Sequence, residues 1–180
     1  MTNAEPQKQP PVLNCSAPKA TVVPILIYQD VAKAISWLNG AFGFIERLRA
    51  ARPDRAVMHA QLSMGEGAIM MGAAGGEYHP PHANEVNLYA RVHVEDVDRH
   101  FDHAKQFGAR VVKPPNNMSF GERPYGAEDL AGHRWVFSQS VADARRSGVR
   151  QHANSRNNSM ESWQTNLQRC WPAGMGELRT

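Results

Sequence analysis

The densest chemistry in the sequence lies in FGERPYGAEDLAGHRWVFSQ, residues 120–139. This stretch holds Glu122, Glu128, Asp129, Arg123, Arg134, Tyr125, His133 and Trp135. Carboxylates beside a histidine can move protons, and arginines can clamp an anion. A second run, LYARVHV, offers Tyr89, Arg91 and His93 at alternate positions. A third, YHPPH, sets His79 and His82 at a loop spacing that a metal can use, but no third ligand accompanies them. The sequence shows no Ser–His–Asp order, phosphate-cradling loop or cysteine with a placed base. Cys15 and Cys170 fit no metal spacing and no disulfide framework, which points to a reducing cytoplasm.

These residues must be positioned by two copies of one pattern. The first begins TVVPILIYQDVAKAISWLNGAFGF and the second NLYARVHVEDVDRHFDHAKQFGAR. In each, an extended apolar run meets an Asp-Val pair, then a helical stretch that ends in glycine. Asp30 and Asp96 are 66 residues apart, and Gly43 and Gly108 are 65 apart, so the copies stay in register. Each Asp suits a helix N-cap, because its carboxylate accepts backbone N–H bonds and opposes the helix dipole. Ala34, Ile35, Trp37, Leu38 and Phe42 form an apolar stripe at helical spacing, as do Val97, Phe101, Ala104 and Phe107. Gly43 and Gly108 suit the left-handed position that stops a helix. Three strand candidates follow each helix: IERLRA, AVMHAQLSM and GAIMMG, then ARVVK, SFGERPYG and HRWVFSQ. The opening stretch is therefore mainly a closing hairpin. AEDLAGH is its turn, with Asp129 bonding local backbone N–H groups, and Trp135 and Phe137 belong to the core.

Around this double unit the chain changes character. Residues 1–19 read as a flexible leader and 140–180 as a polar, basic extension, in which Trp163, Leu167 and Trp171 could mark one amphipathic turn. The formal net charge is +3, yet residues 20–139 carry 12 Lys/Arg against 13 Asp/Glu. The basicity thus sits in the ends, and no basic stripe interleaved with aromatics suggests a nucleic-acid partner. No run approaches the length of a membrane span, and the N-terminus lacks the apolar stretch of a signal peptide.

The tandem units, ending in a GERxY…ED..GHRW…Q hairpin, resemble the vicinal oxygen chelate superfamily. That group contains glyoxalase I, bleomycin-resistance proteins and extradiol dioxygenases. The resemblance spans residues 20–139, with modules at about 20–75 and 85–139, and leans to the PhnB-like or bleomycin-resistance-like branch. It implies an α+β fold: tandem βαβββ modules forming a curved mixed sheet around a cavity, commonly in a homodimer that exchanges modules. Members that bind a divalent metal use four side chains, usually His, Glu or Gln, from the first and last strand of each module. Counted from Asp30, Asp96 and Gly132, those positions fall on Val23, Tyr89 and Val136, with Met70 as the fourth. None is an ordinary ligand for Zn, Ni, Fe or Mn, so no metal cofactor is expected.

Strand alternation then sorts the cavity wall from the core. Ala90, Val92 and Val94 go against the helix, and Tyr89, Arg91 and His93 face the cavity. Arg134, Val136 and Ser138 join them from the last strand, and Val23, Ile25 and Ile27 from the first. Glu122 and Arg123 face opposite ways, and the sequence does not say which faces in. One apolar wall and one wall with Tyr, Arg, His and Arg suit a small-molecule binder for a neutral or anionic, partly aromatic ligand. Two other readings stand beside it. One is a glyoxalase-like lyase or dioxygenase with a non-standard divalent metal site, or a metal-free enzyme using Tyr89, His93 or Glu122. The other is an interaction module whose tail docks a partner.

Overall fold

A computed structural model describes residue 14 and residues 16–83, 85–86 and 88–143. The described elements all belong to the unit that ends at Ala142. The Trp163–Trp171 turn expected from the sequence lies outside the described residues. The elements follow the order β1 (Ile25–Tyr28), α1 (Val31–Phe42), β2 (Ile45–Ala51), β3 (Val57–Met64) and β4 (Gly67–Ala73). The second half repeats it as β5 (Tyr89–His93), α2 (Val97–Gln106), β6 (Arg110–Lys113), β7 (Glu122–Glu128) and β8 (Arg134–Ser140).

Each half is a four-stranded mixed sheet, ordered β1-β4-β3-β2 and β5-β8-β7-β6. The first strand lies parallel to the last and the other pairs are antiparallel. The parallel pair exists because a helix intervenes, since parallel strands need a long crossover. This is the α+β tandem βαβββ fold expected from the repeat.

Local chemistry sets the element ends. The Asp30 and Asp96 carboxylates accept from Lys33 N at 2.9 Å and Arg99 N at 3.0 Å, capping α1 and α2. Gly43 ends α1 at φ 77°, which a side chain would resist. Strand β1 starts only at Ile25. Pro24 has no N–H to give a ladder, although its carbonyl accepts from Met70 N at 2.9 Å. Val23 therefore lies ahead of the strand, half-buried.

The core forms where the helix-covered faces of the two sheets meet. Phe42, at the end of α1, packs on Phe137 with ring centroids 4.7 Å apart, and Phe44 packs on Trp135 at 5.3 Å. Phe42, Trp135 and Phe137 are buried, and truncating any one of them to Ala would cost about 3–5 kcal/mol. His100 of α2 fastens the halves: its Nε2 donates to the Phe42 carbonyl at 3.1 Å and its Nδ1 accepts from the Tyr125 hydroxyl at 2.6 Å. Burial, together with nearby His103, lowers the His100 pKa against the opposing pull of the Phe42 carbonyl. At neutral pH the ring is thus neutral, as the Tyr125 bond requires.

Candidate functional site

Among the described residues the two sheets each leave one face bare of helix, and the strand register says what stands on it. In the second sheet Tyr89, Arg91 and His93 pair with Arg134, Val136 and Ser138. Pro124, Gly126 and Glu128 continue the same face through β7, and Arg110 and Lys113 through β6. Glu122 pairs with Ser140 and so shares this face. Arg123 points to the helix side, where it holds Asp98 of α2 at 2.8 Å and Asn117 at 2.9 Å. The choice that the sequence left open is thereby made by register.

The arginines on the open face are paired. Arg91 bonds Glu122, and Glu128 takes both Arg134 at 2.6 Å and Arg110. Four cations (Arg91, Arg110, Lys113 and Arg134) face two carboxylates (Glu122 and Glu128), which leaves the face net positive. Gly126, which pairs with Val136, adds no side chain to this face, and both residues are buried. His93 Nδ1 lies 3.3 Å from the Ser138 hydroxyl.

The open face of the first sheet is different. Ile25 pairs with Met70, Met70 with Gln61, and Gln61 with Leu48. Ile25, Ile45 and Leu48 are 59%, 64% and 45% exposed, a large apolar share for the surface of one chain. Gln61, by contrast, is buried, and its Oε1 accepts no hydrogen bond. An orphan acceptor on an apolar wall is costly unless something donates to it.

A third cluster joins the halves. The Asp129 carboxylate accepts from five donors. Oδ2 takes the Tyr28 hydroxyl at 2.7 Å, His133 Nδ1 at 3.1 Å and Trp135 Nε1 at 3.2 Å. Oδ1 takes the backbone N–H groups of Ala131 at 2.9 Å and His133 at 3.0 Å. Burial alone would raise the Asp129 pKa. The bond and charge from His133, with help from Tyr28 and Ala131, outweigh that and hold it below the ordinary value. Burial and the Asp129 charge push the Tyr28 phenol upward. Sequence reasoning found the two local backbone bonds and missed the three side-chain donors. Tyr28 is 101 residues away and carries no local signal.

Three hollows among the described residues are of ligand size. The first, about 710 Å³, lies by the β3–β4 turn between Lys19, Arg47 and Glu66. The second, about 410 Å³, lies between β1, His133 and the connection containing His79 and His82. The third, about 320 Å³, lies by Tyr28, Lys33 and Leu130. The fold thus brings Ile25 to the second hollow, while Met70, Tyr89, Arg91, His93, Glu122, Arg134 and Val136 stand on sheet faces that line none of the three.

With this architecture in view, residues 20–137 match the family model described as Glyoxalase/Bleomycin resistance protein/Dioxygenase superfamily. The chain belongs to that superfamily. TioX from Micromonospora sp. ML1 has 32% sequence identity with it; the alignment covers 68% of this chain and 100% of TioX, with a TM-score of 0.57. A fosfomycin resistance protein, FosX, from Listeria monocytogenes, solved with Mn(II) and sulfate, shares the fold at 14% identity. That match covers 71% of this chain and 94% of FosX, with a TM-score of 0.53. An uncharacterised Mycobacterium bovis protein is 29% identical over 126 residues, 67% of this chain and 83% of its own length.

One structural neighbour was solved with Mn(II), and the residues at the four positions expected from the sequence do not suit such an ion. Val23, Met70, Tyr89 and Val136 supply two hydrocarbons, a thioether and a phenol, a poor donor set for a divalent ion. Met70 lies against Ile25, and Val136 against Arg91, which adds no histidine or carboxylate ligand from a neighbour. Among the described residues no three His, Cys, Asp or Glu side chains converge on one point. No helix among them is long and apolar enough to cross a membrane.

Proposed function

We propose that this superfamily member is a metal-free small-molecule binder of the PhnB-like or bleomycin-resistance-like branch, working in the cytoplasm without nucleic-acid or membrane partners. The carrying observation is the contrast between the two open faces. One is apolar, with Ile25 and Met70 around the orphan Gln61 acceptor; the other is net positive, with Tyr89, Arg91, His93, Glu122, Arg134 and Val136. Such walls suit a neutral or anionic, partly aromatic ligand, whose ring meets the first and whose polar group meets the second. Val23, ahead of β1, extends the apolar wall.

Neither face is enclosed by the described residues, and the exposed Ile25, Ile45 and Leu48 support closure by a second copy in a module-exchanged homodimer. In this reading residues 20–139 form the binding domain, 1–19 a leader and 140–180 an appendage.

The test loads purified protein with Zn, Ni, Mn and Fe, desalts it and measures metal content, then follows thermal stability with benzoate and with benzamidine. No retained metal is expected, and benzoate should raise the melting temperature where benzamidine does not. Arg91→Ala should abolish the benzoate effect and Glu122→Gln should enlarge it. Near-stoichiometric metal retention, or a preference for the cation, would overturn the proposal.

A further inference from the structure

The hollow beside β1 has a chemistry unlike either open face. Among the described strands β1 is an edge strand, flanked on one side only, by β4. The Pro24 and Tyr28 carbonyls accept from Met70 N and Ala74 N, each at 2.9 Å. In a parallel ladder the backbone groups alternate sides, so residues 24, 26 and 28 address β4. Ile25 and Ile27 therefore turn their N–H and C=O groups outward, along the edge that lines the 410 Å³ hollow.

The opposite wall comes from His133 and from the His79-Pro80-Pro81-His82 segment. Asp129 fixes the His133 ring by its Nδ1, and the Asp129 carboxylate is already filled by five donors. Nδ1 is thus held by Asp129, and Nε2, on the far side of the ring, is the polar atom left to a ligand. No Lys or Arg lines the hollow among the described residues, and its one fixed charge is Glu85. The two prolines have no N–H with which to satisfy the strand edge themselves.

We infer that this hollow is a second ligand site, for a neutral amide-bearing compound the size of a capped amino acid. Its amide N–H and C=O pair with the outward backbone groups of Ile25 and Ile27, as an added strand would. A further polar group of the ligand meets His133 Nε2, and its apolar part rests on Pro81 and Leu88. The volume falls within the range of small-molecule sites, about 300–1,000 Å³. An anion is disfavoured here by Glu85, which separates this site from the net positive face of the second sheet.

The test is an NMR titration of the full chain with N-acetyl-alanine-N′-methylamide, reading the Ile25 and Ile27 amides and the His133 side-chain nitrogens. Saturable shifts at those three residues are expected, with methyl 2-acetoxypropanoate, which has no N–H, at least tenfold weaker. Leu88→Trp, an exposed change that fills the hollow, should weaken binding at least tenfold with the melting temperature unchanged. His133→Phe should weaken it too while keeping a ring beside Tyr28. The inference is overturned by equal binding of the ester, or by shifts that appear instead at Tyr89 and Arg91. Concentration-dependent protection of the Ile25 and Ile27 amides would likewise overturn it, because a second copy would then hold the edge. Benzoate binding at the positive face is read on separate residues, so either reading can fail alone.

Discussion

Replacing Asp129 by Asn tests the joint between the two halves. The side chain keeps its shape, and Oδ1 can still accept from the Ala131 and His133 amides. An NH₂ group then faces the Tyr28 hydroxyl, His133 Nδ1 and Trp135 Nε1, which are all donors to Oδ2 in the native protein. The hydroxyl can turn and accept, and the imidazole can change tautomer. The indole N–H can do neither, so it is left buried without a partner. Losing one bond to a charged group costs about 1.5–3 kcal/mol and stranding a donor about 1–3, which together give roughly 3–5 kcal/mol. For a domain of this size that is a fall in melting temperature of about 10–20 °C.

Urea unfolding should show the loss in the midpoint with the slope unchanged. The pH dependence gives a second reading. The native Asp129 pKa is depressed, so its contribution is present above the unfolded value of about 3.9 and lost as pH falls through the native value. Asp129→Asn should therefore lack that part of the acid-side decline. A variant within about 0.5 kcal/mol of the parent, with an unchanged acid slope, would refute the view that this carboxylate ties β1 to the hairpin.

The other expectations concern the helices. His100 has a lowered native pKa, so the unfolded chain binds its proton first, and stability should drop as pH falls below about 6.5, then level off below the native value. His100→Gln should flatten that step in a stability–pH series. At Gly40 an added Cβ would lie 2.2 Å from the Phe107 ring. Gly40→Ala should therefore destabilise the parent, yet in a Phe107→Ala background it should stabilise by about 0.5–1 kcal/mol through helix propensity, as a double-mutant cycle would show. Asp30→Ala and Asp96→Ala each remove an N-cap and should each cost about 0.5–2 kcal/mol in chemical denaturation.

Legibility tracked how local the causes were. The helix caps, the stop glycines, the strands after each helix and the 66-residue repeat all rest on interactions within a few positions. The β1 start was misjudged at Val23 because ladder formation depends on what Pro24 lacks and on where β4 arrives. Trp135 and Phe137 could be assigned to the core from alternation alone, but their partners Phe42 and Phe44 could not.

The sequence by itself determined two βαβββ units, their family and the parity of each strand. Tertiary structure decided what those parities meet. It set Glu122 rather than Arg123 on the open face, paired Arg91 and Arg134 with carboxylates, and carried Tyr28 across 101 residues to Asp129. It also laid the edge of β1 beside His133. Alternation along a strand is a property of the backbone and is written in the order of residues. The register between strands, and the packing of one half on the other, depends on shape and on which buried donors find acceptors, so it exists only once the chain has closed.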